Sequence, residues 1–504
     1  MNDALARVPA LAAQHLLLAM AALALALVIG VPIAIRAARA SRLAGVVLGF
    51  ASLVQTIPSL ALLALFYPVL LWIGHGVPAL GFLPALLALT LYALLPIARN
   101  IVTGLRGLDP AVLEAADGIG MTRGQKLRLV ELPLVLPIAM AGVRTAAVWT
   151  IGAATLSTTV GQPSLGDLIF AGLQTQAWTL VIAGCVGAAG LALGVDFLLA
   201  VAERAAGARR WRRAGVALVL LLVATVAAAS PMWRGGGERH VVVGAKNFSE
   251  QYILARLIGD RLTKAGYRVS YRDGLGSAVA IGAVAGGEID VYVDYAGTLW
   301  TAEMRRTDTP SRTEQLRAIA DWTQQSRGVT LLGTLGFENA YAFAMRGDDA
   351  ARRGVATLDD LVRVAPQLRF GADLEFLDRP EWAAIRRAYP LRFASATPYS
   401  PTFMYRALES GRADVISAFS SDGRIAADRL TVLADPRRAI PGYDAIVLVA
   451  PEHRKDARFL DALRPLIGRI PVAAMREANY RVDRDRDKQS PEAAARWLAG
   501  RIGL

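Results

Sequence analysis

Long apolar stretches fill the chain up to about Pro231; after Glu238 they give way to short apolar runs broken by Asp, Glu and Arg. A helix needs roughly 20 apolar residues to cross a bilayer. Six stretches meet that length: residues 12–35, 44–73, 79–98, 134–155, 178–201 and 214–232. The second is overlong and carries Pro58 and Pro68, which predicts a kinked or broken helix. The first is too long for a cleavable signal peptide, and its positive charges follow the apolar run instead of preceding it. The lipid bilayer is therefore an expected partner of this half.

The second half has a different rhythm. After a glycine-rich tether, Trp233-Arg234-Gly235-Gly236-Gly237-Glu238, a strand is expected at 241–244. A helix follows from near Ser249 to Ala265, with apolar residues at Ile253, Leu254, Leu257, Ile258 and Leu262. Strand-like runs recur at 268–271, 291–293, 341–345, 368–372, 415–418 and 445–449, mostly with helical stretches between them. Such alternation predicts an α/β domain, here in two lobes. No internal repeat interrupts it.

Charge adds orientation. The net charge of +13 invites a nucleic-acid reading. Much of the excess, however, is arginine flanking apolar segments: Arg36, Arg39 and Arg42; Arg99, Arg106, Arg123 and Arg128; Arg204, Arg209, Arg210, Arg212 and Arg213. That is the positive-inside pattern, and no nucleic acid partner is expected. With those loops cytoplasmic, the sixth span carries the chain outward. The globular half then lies on the periplasmic or extracellular side of a multi-pass inner-membrane protein. Cys185 is the lone cysteine, and His15, His75, His240 and His453 show no metal-ligand spacing. No metal and no cofactor is implied.

The loop between spans three and four reads Glu114-Ala115-Ala116-Asp117-Gly118-Ile119-Gly120 and ends Val130-Glu131-Leu132-Pro133. It predicts a short helix from Asp109-Pro110, a glycine turn, and a second segment halted by Pro133. Here the sequence resembles the permeases of binding-protein-dependent ABC importers over roughly residues 15–205. Glu114, Ala115, Ala116, Gly120, Leu132 and Pro133 match that family's EAA loop, which docks into a cleft on the ATPase. Thr56-Ile57-Pro58-Ser59-Leu60 and the run from Gly161 to Ile169 resemble the branch importing glycine betaine, choline and related osmoprotectants. No Gly-Lys-Ser or Gly-Lys-Thr occurs, so the resemblance implies a separate ATPase subunit. One permease domain per chain further implies a second copy of this chain or a related permease.

A quaternary ammonium ion has no N–H to donate, and pairing it with a buried carboxylate demands desolvation of both ions. A cage of aromatic faces holds it instead, at about 0.5–2 kcal/mol per face; a betaine carboxylate wants Arg, Lys and hydroxyl donors. From about residue 241 to 504 the chain is similar to glycine betaine/choline-type binding proteins. The motifs are Val243–Gln251, Tyr292–Thr298, Gly336–Tyr341, Ser420–Ile425 and Pro441–Asp444. The resemblance implies an aromatic box of Tyr295, Tyr341, Phe419 and Tyr443 and a carboxylate clamp of Lys246, Thr298 and Arg379. Relatives often have Tyr where Phe419 stands, so a hydroxyl that could fix the box is missing. Taken without the family, Tyr295 and Thr298 read as packing or turn residues, and Arg379 as a surface partner of Asp378.

The expected fold is an all-α polytopic membrane domain, type I ABC importer permease-like, followed by an α/β two-lobe domain like a periplasmic binding protein. The expected divisions are 1–210 for the permease, with its EAA loop at 109–134, and 211–238 for the sixth span and tether. The substrate-binding domain takes 239–504, its second lobe about 345–441. The expected function is uptake of a small quaternary ammonium ligand, with no catalytic residues. Rivals are import of another small solute, such as an amino acid or sulfonate, and a membrane-anchored sensor. An enzyme is disfavoured, since no Gly-x-Ser-x-Gly elbow, metal cluster or Cys–His pair stands out.

Overall fold

The computed structural model of the protein describes residues 7–73, 77–174, 177–208, 210–233, 240–373, 376–399, 401–484 and 486–504. The expected tether at 234–238, Arg209 and His75 lie outside them. The chain forms two compact units, one helical and one α/β.

Among the described residues of the helical unit, five helices are long and apolar enough to cross a membrane: Val8–Ala38, Phe82–Arg106, Arg123–Val160, Trp178–Gly207 and Trp211–Ala229. Ser41–Thr56 and Ser59–Leu70 qualify together as a pair bent by 102°. Small residues let the backbones approach closely. Val8–Ala38 buries Ala19, Ala22, Ala26, Gly30 and Ala34 along one stripe. A Cβ on Gly30 would lie 3.1 Å from Leu94 of Phe82–Arg106. Gly142 likewise brings Leu132–Ala154 onto Pro96, whose carbonyl oxygen would sit 2.6 Å from an added Cβ.

The break expected in the second span falls at Pro58. Ile57 is extended, as the following ring demands, with φ −72° and ψ 125°. Its carbonyl accepts from the Tyr92 hydroxyl, while Gln55 Nε2 donates to the Tyr92 carbonyl at 3.3 Å. Hydrocarbon offers no water, so a backbone group freed by a break needs such an internal partner. Pro68, by contrast, sits within Ser59–Ile73 without ending it. Arg106 donates to the carbonyls of Ala38 at 3.1 Å and Ala37 at 3.2 Å, closing the end of the first helix. Arg144 is held by Asp196, at 2.8 and 3.0 Å, and by Glu203 at 3.0 Å, so its charge is paired across helices.

The loop after Phe82–Arg106 forms the expected first helix, Pro110–Gly118, capped by Asp109, whose carboxylate accepts from the Ala111 amide at 2.9 Å. Gly120 turns the chain with φ +78°, and a Thr122–Gln125 capping box restarts it. Pro133 does not halt the second segment. A π-turn at Leu127–Glu131 resets the register, leaving Pro133 in the first turn of Leu132–Ala154. There a missing N–H has no helical partner to lose.

The described residues of the α/β unit form ten strands: β1 His240–Lys246, β2 Arg268–Leu275, β3 Val291–Tyr295, β4 Thr330–Glu338, β5 Tyr341–Arg346, β6 Arg369–Asp373, β7 Ser395–Tyr399, β8 Val415–Phe419, β9 Leu430–Leu433 and β10 Asp444–Val449. They form two sheets, ordered β2-β1-β3-β10-β4 and β7-β6-β8-β5-β9. In the first, β1 runs parallel to β2 and β3, while β10 is antiparallel to β3 and β4. In the second, β6 runs parallel to β7 and β8, while β5 is antiparallel to β8 and β9. The chain passes between the sheets twice, through Asn339–Ala340 and through 434–443. Two crossings next to the inner strand ends give two lobes with a shared hinge.

Tyr92→Phe is expected to strand the Ile57 carbonyl. The cost should be about 1–3 kcal/mol, read as earlier thermal unfolding of the detergent-solubilised chain.

Candidate functional site

A cavity of about 260 Å³ lies where strand ends of the two lobes meet. Lys246 ends β1, Tyr295 ends β3, Asp373 ends β6 and Phe419 ends β8; Tyr341 opens β5, and Tyr443 immediately precedes β10. Ligand sites in α/β folds favour such strand ends because side chains converge there from several strands. All seven residues expected at the site line this one cavity: Tyr295, Tyr341, Phe419, Tyr443, Lys246, Thr298 and Arg379.

The aromatic groups touch one another. Tyr341 and Phe419 are direct cross-strand partners with ring centroids 5.0 Å apart, and Tyr443 meets Tyr341 edge-on at 6.2 Å. Phe419 is thus held against its strand partner by ring packing in place of a hydroxyl bond. Behind Tyr341 lies Phe376 at 4.8 Å, the near edge of an aromatic cluster with Phe343, Phe370 and Trp382. Tyr295 stands apart from this trio, stacked on Phe248 at 6.1 Å. Gly297 is required by packing, since a Cβ there would lie 2.2 Å from the Tyr443 ring.

Both cations already hold carboxylates. Lys246 Nζ is buried against Asp294, which also accepts from the Tyr292 hydroxyl at 2.8 Å. Arg379 donates to Glu381 at 3.1 and 3.3 Å, so its partner is Glu381 and not the neighbouring Asp378. Burial pushes the Glu381 carboxyl upward. The Arg379 charge and hydrogen bonds from Arg379, Tyr443 and Thr301 outweigh that and hold it below its usual range. Arg379 also lies over the Tyr341 ring, 5.4 Å from its centroid.

A second polar group is one the sequence reading missed. Glu250 is buried and receives Tyr295 Oη at 2.6 Å, Asn339 Nδ2 at 3.1 Å and Asn479 Nδ2 at 2.8 Å. Burial raises its carboxyl, and the hydrogen bonds only partly offset this. Phe248, Asn339 and Asn479 line the cavity too. Glu250 and Asn339 lie inside the quoted motifs, but Asn479 comes from the distant helix Val472–Asp483 and carried no local signal. His453, read as an isolated histidine, bonds Asp290 at 2.7 Å and stacks on Phe459 at 4.1 Å.

Residues 239–500 match the family described as the substrate binding domain of ABC-type glycine betaine transport systems. The chain belongs to the glycine betaine-type ABC importers. Residues 26–208 match the binding-protein-dependent transport system inner membrane component, so permease and binding protein share one polypeptide. The glycine betaine/carnitine/choline transport system permease protein OpuCB of Bacillus subtilis (strain 168) is 43% identical over 38% of this chain and 84% of its own length. A Helicobacter pylori (strain G27) protein named ergothioneine transport permease/ergothioneine binding protein EgtU is 29% identical, spanning 95% of this chain and 88% of its own length. A crystal structure titled glycine betaine/carnitine/choline ABC transporter aligns at 24% identity with a TM-score of 0.47, over 52% of this chain and 98% of that one. These are transporter components and not enzymes.

In this importer chain, Glu114 and Ala115 are exposed on Pro110–Gly118 while Ala116 is buried. The helix therefore presents the acidic end of the motif outward and anchors itself by the last alanine.

Gly297→Ala should cost about 1–3 kcal/mol by overpacking against Tyr443. Most of that loss should vanish in a Tyr443→Ala background, a non-additivity measurable by denaturant unfolding. Burial also pushes the Asp483 carboxyl, at the cavity edge, up to about 6. An acid whose folded value is raised stabilises the fold below its unfolded range, and that contribution is lost as pH rises through about 6. Asp483→Asn should flatten the fall in melting temperature between about pH 4 and pH 6.

Proposed function

We propose that the chain supplies the pore and the capturing domain of an ATP-driven importer for trimethylammonium compounds, betaines above all. The observation that carries this reading is the trio Tyr341, Phe419 and Tyr443, joined across one cavity by Tyr295 and by the two paired cations. A permanent cation without N–H groups is best held by π faces. An amino acid ammonium or a sulfonate would instead call for several fixed hydrogen-bond partners around its head. Thr298 and Arg379, and Lys246 beyond its bond to Asp294, are the proposed contacts for a ligand carboxylate. Lobe closure around the ligand, docking on the outer face of a permease pair, and a separate ATPase engaging Glu114–Pro133 complete the proposed cycle. A tether would hold the capturing domain at high local concentration near its own pore.

A second reading rests on the full-length relative from Helicobacter pylori, named for ergothioneine, itself a betaine with a heterocyclic side chain. A cavity of about 260 Å³ admits betaines with a side chain as well as glycine betaine.

Calorimetric titration of the purified chain with glycine betaine, carnitine, choline, ergothioneine and neutral amino acids tests the reading. Tyr341→Ala should weaken every trimethylammonium ligand at least tenfold, and Arg379→Ala should weaken those with a carboxylate more than choline. Binding of an amino acid in preference to all of them would sink the proposal. In proteoliposomes with the ATPase, Glu114→Ala should abolish uptake while leaving ligand binding unchanged.

A further inference from the structure

Two chain crossings join the lobes covalently, and one buried carboxylate joins them again. Glu381 lies in the first turn of Pro380–Ala388, in the lobe of the second sheet, where the helix dipole favours an anion. It is 1% exposed. From its own lobe Arg379 donates to both of its oxygens, at 3.1 and 3.3 Å. From the first lobe comes the Thr301 hydroxyl at 2.7 Å, and from the end of the second crossing that of Tyr443. Thr301 Oγ1 also lies 2.9 Å from the Gly297 carbonyl, and its single proton favours the charged acceptor. Thr301 belongs to the turn Leu299–Glu303, which follows β3 and is far along the chain from both crossings.

The proposed contacts for a ligand carboxylate span the same seam. Thr298 lines the cavity from the first lobe and Arg379 from the second. Thr301 follows Thr298 by one turn, and Glu381 directly follows the proline after Arg379. Glu381 is not among the described residues that line the cavity, so it acts on a ligand only through Arg379. An internal carboxylate thus links Arg379 to a first-lobe hydroxyl, as a betaine carboxylate would link Arg379 to Thr298.

We propose that Glu381 is a positioning residue that sets how far the site depends on a carboxylate in the ligand. This rests on the trimethylammonium reading above and deepens it. With Glu381 in place, the Arg379 charge is answered and the lobes are bridged without any anion from the ligand. Choline, which has the trimethylammonium head and no carboxylate, is then accepted beside glycine betaine. Without Glu381, Arg379 would face the cavity as an uncompensated cation. That charge repels either head group, but only a betaine brings an anion to answer it. The loss therefore falls on choline, whereas mere damage to the fold would weaken both ligands alike.

Calorimetry on the full chain in detergent, with glycine betaine and choline as probes, tests this. Glu381→Gln keeps the shape and removes the charge; it should weaken choline at least about tenfold more than glycine betaine. Thr301→Val leaves the Arg379–Glu381 pair intact and removes only the first-lobe donor. It should move the ratio the same way, by about threefold, and it decides the matter if the melting curve shows Glu381→Gln unfolded. Equal weakening of the two ligands would overturn this inference alone, as would an unaltered chain that binds a betaine and not choline. Failure of glycine betaine, choline and ergothioneine alike to bind would overturn the trimethylammonium reading with it.

Discussion

A polar group removed from water must find its partner inside the protein, and both halves of this chain are arranged around that constraint. In the helical unit it acts on the backbone. Breaking the second span at Pro58 frees the Ile57 carbonyl, and Tyr92 reaches across from a neighbouring helix to take it. Arg106 closes two carbonyls at the end of the first helix, and Arg144 is neutralised by Asp196 and Glu203. In the α/β unit it acts on side chains. Lys246, Arg379 and Glu250 are all withdrawn from solvent, and each is held by named partners. Satisfying them pins the aromatic rings, because Tyr295 and Tyr443 are among the donors.

Most of the fold was legible because its elements are marked by uninterrupted apolar runs. The spans and the strands β1, β3, β5, β6, β8 and β10 are of that kind, and β10 is buried at every position. What escaped the pattern has a physical cause in each case. The strand β4 is interrupted by Gly333 and Gly336, both at positive φ. Four of the five residues of β7 are exposed and one is Pro398, while β9 has only four residues. Pro133 was misread because it stands in the first turn of Leu132–Ala154, directly after the π-turn at Leu127–Glu131, where a proline is tolerated.

The site was legible only where function leaves a local motif. The aromatic residues and both cations lie at strand ends within short recognisable runs, and the fold gathers them around one cavity. What no local pattern announces is how those groups are paired. Asp294 and Glu381 look like ordinary acids in sequence, yet they are the partners of the two cations. Asn479 reaches Glu250 from 229 residues away in the chain. Such a contact exists only once the last helices pack against the first sheet.

The pairing matters for any cation that enters. At roughly 6 Å and an effective dielectric of about 20, a like-charged neighbour costs about 3 kcal/mol. One aromatic face returns only about 0.5–2 kcal/mol. Unpaired, Lys246 and Arg379 would together oppose a trimethylammonium group by about 6 kcal/mol, enough to cancel most of the roughly 2–8 kcal/mol that four aromatic faces return. With Asp294 and Glu381 bound to them, each presents a near-neutral pair. Repulsion then falls steeply with distance, whereas a carboxylate in direct contact still gains from the donors. On the proposed reading, such a cavity takes a trimethylammonium group beside two paired cations, Arg379 lying 5.4 Å from the Tyr341 ring and Lys246 5.5 Å from the Tyr295 ring. The betaine selectivity proposed for the cavity then depends on the two buried acids as much as on the aromatic residues.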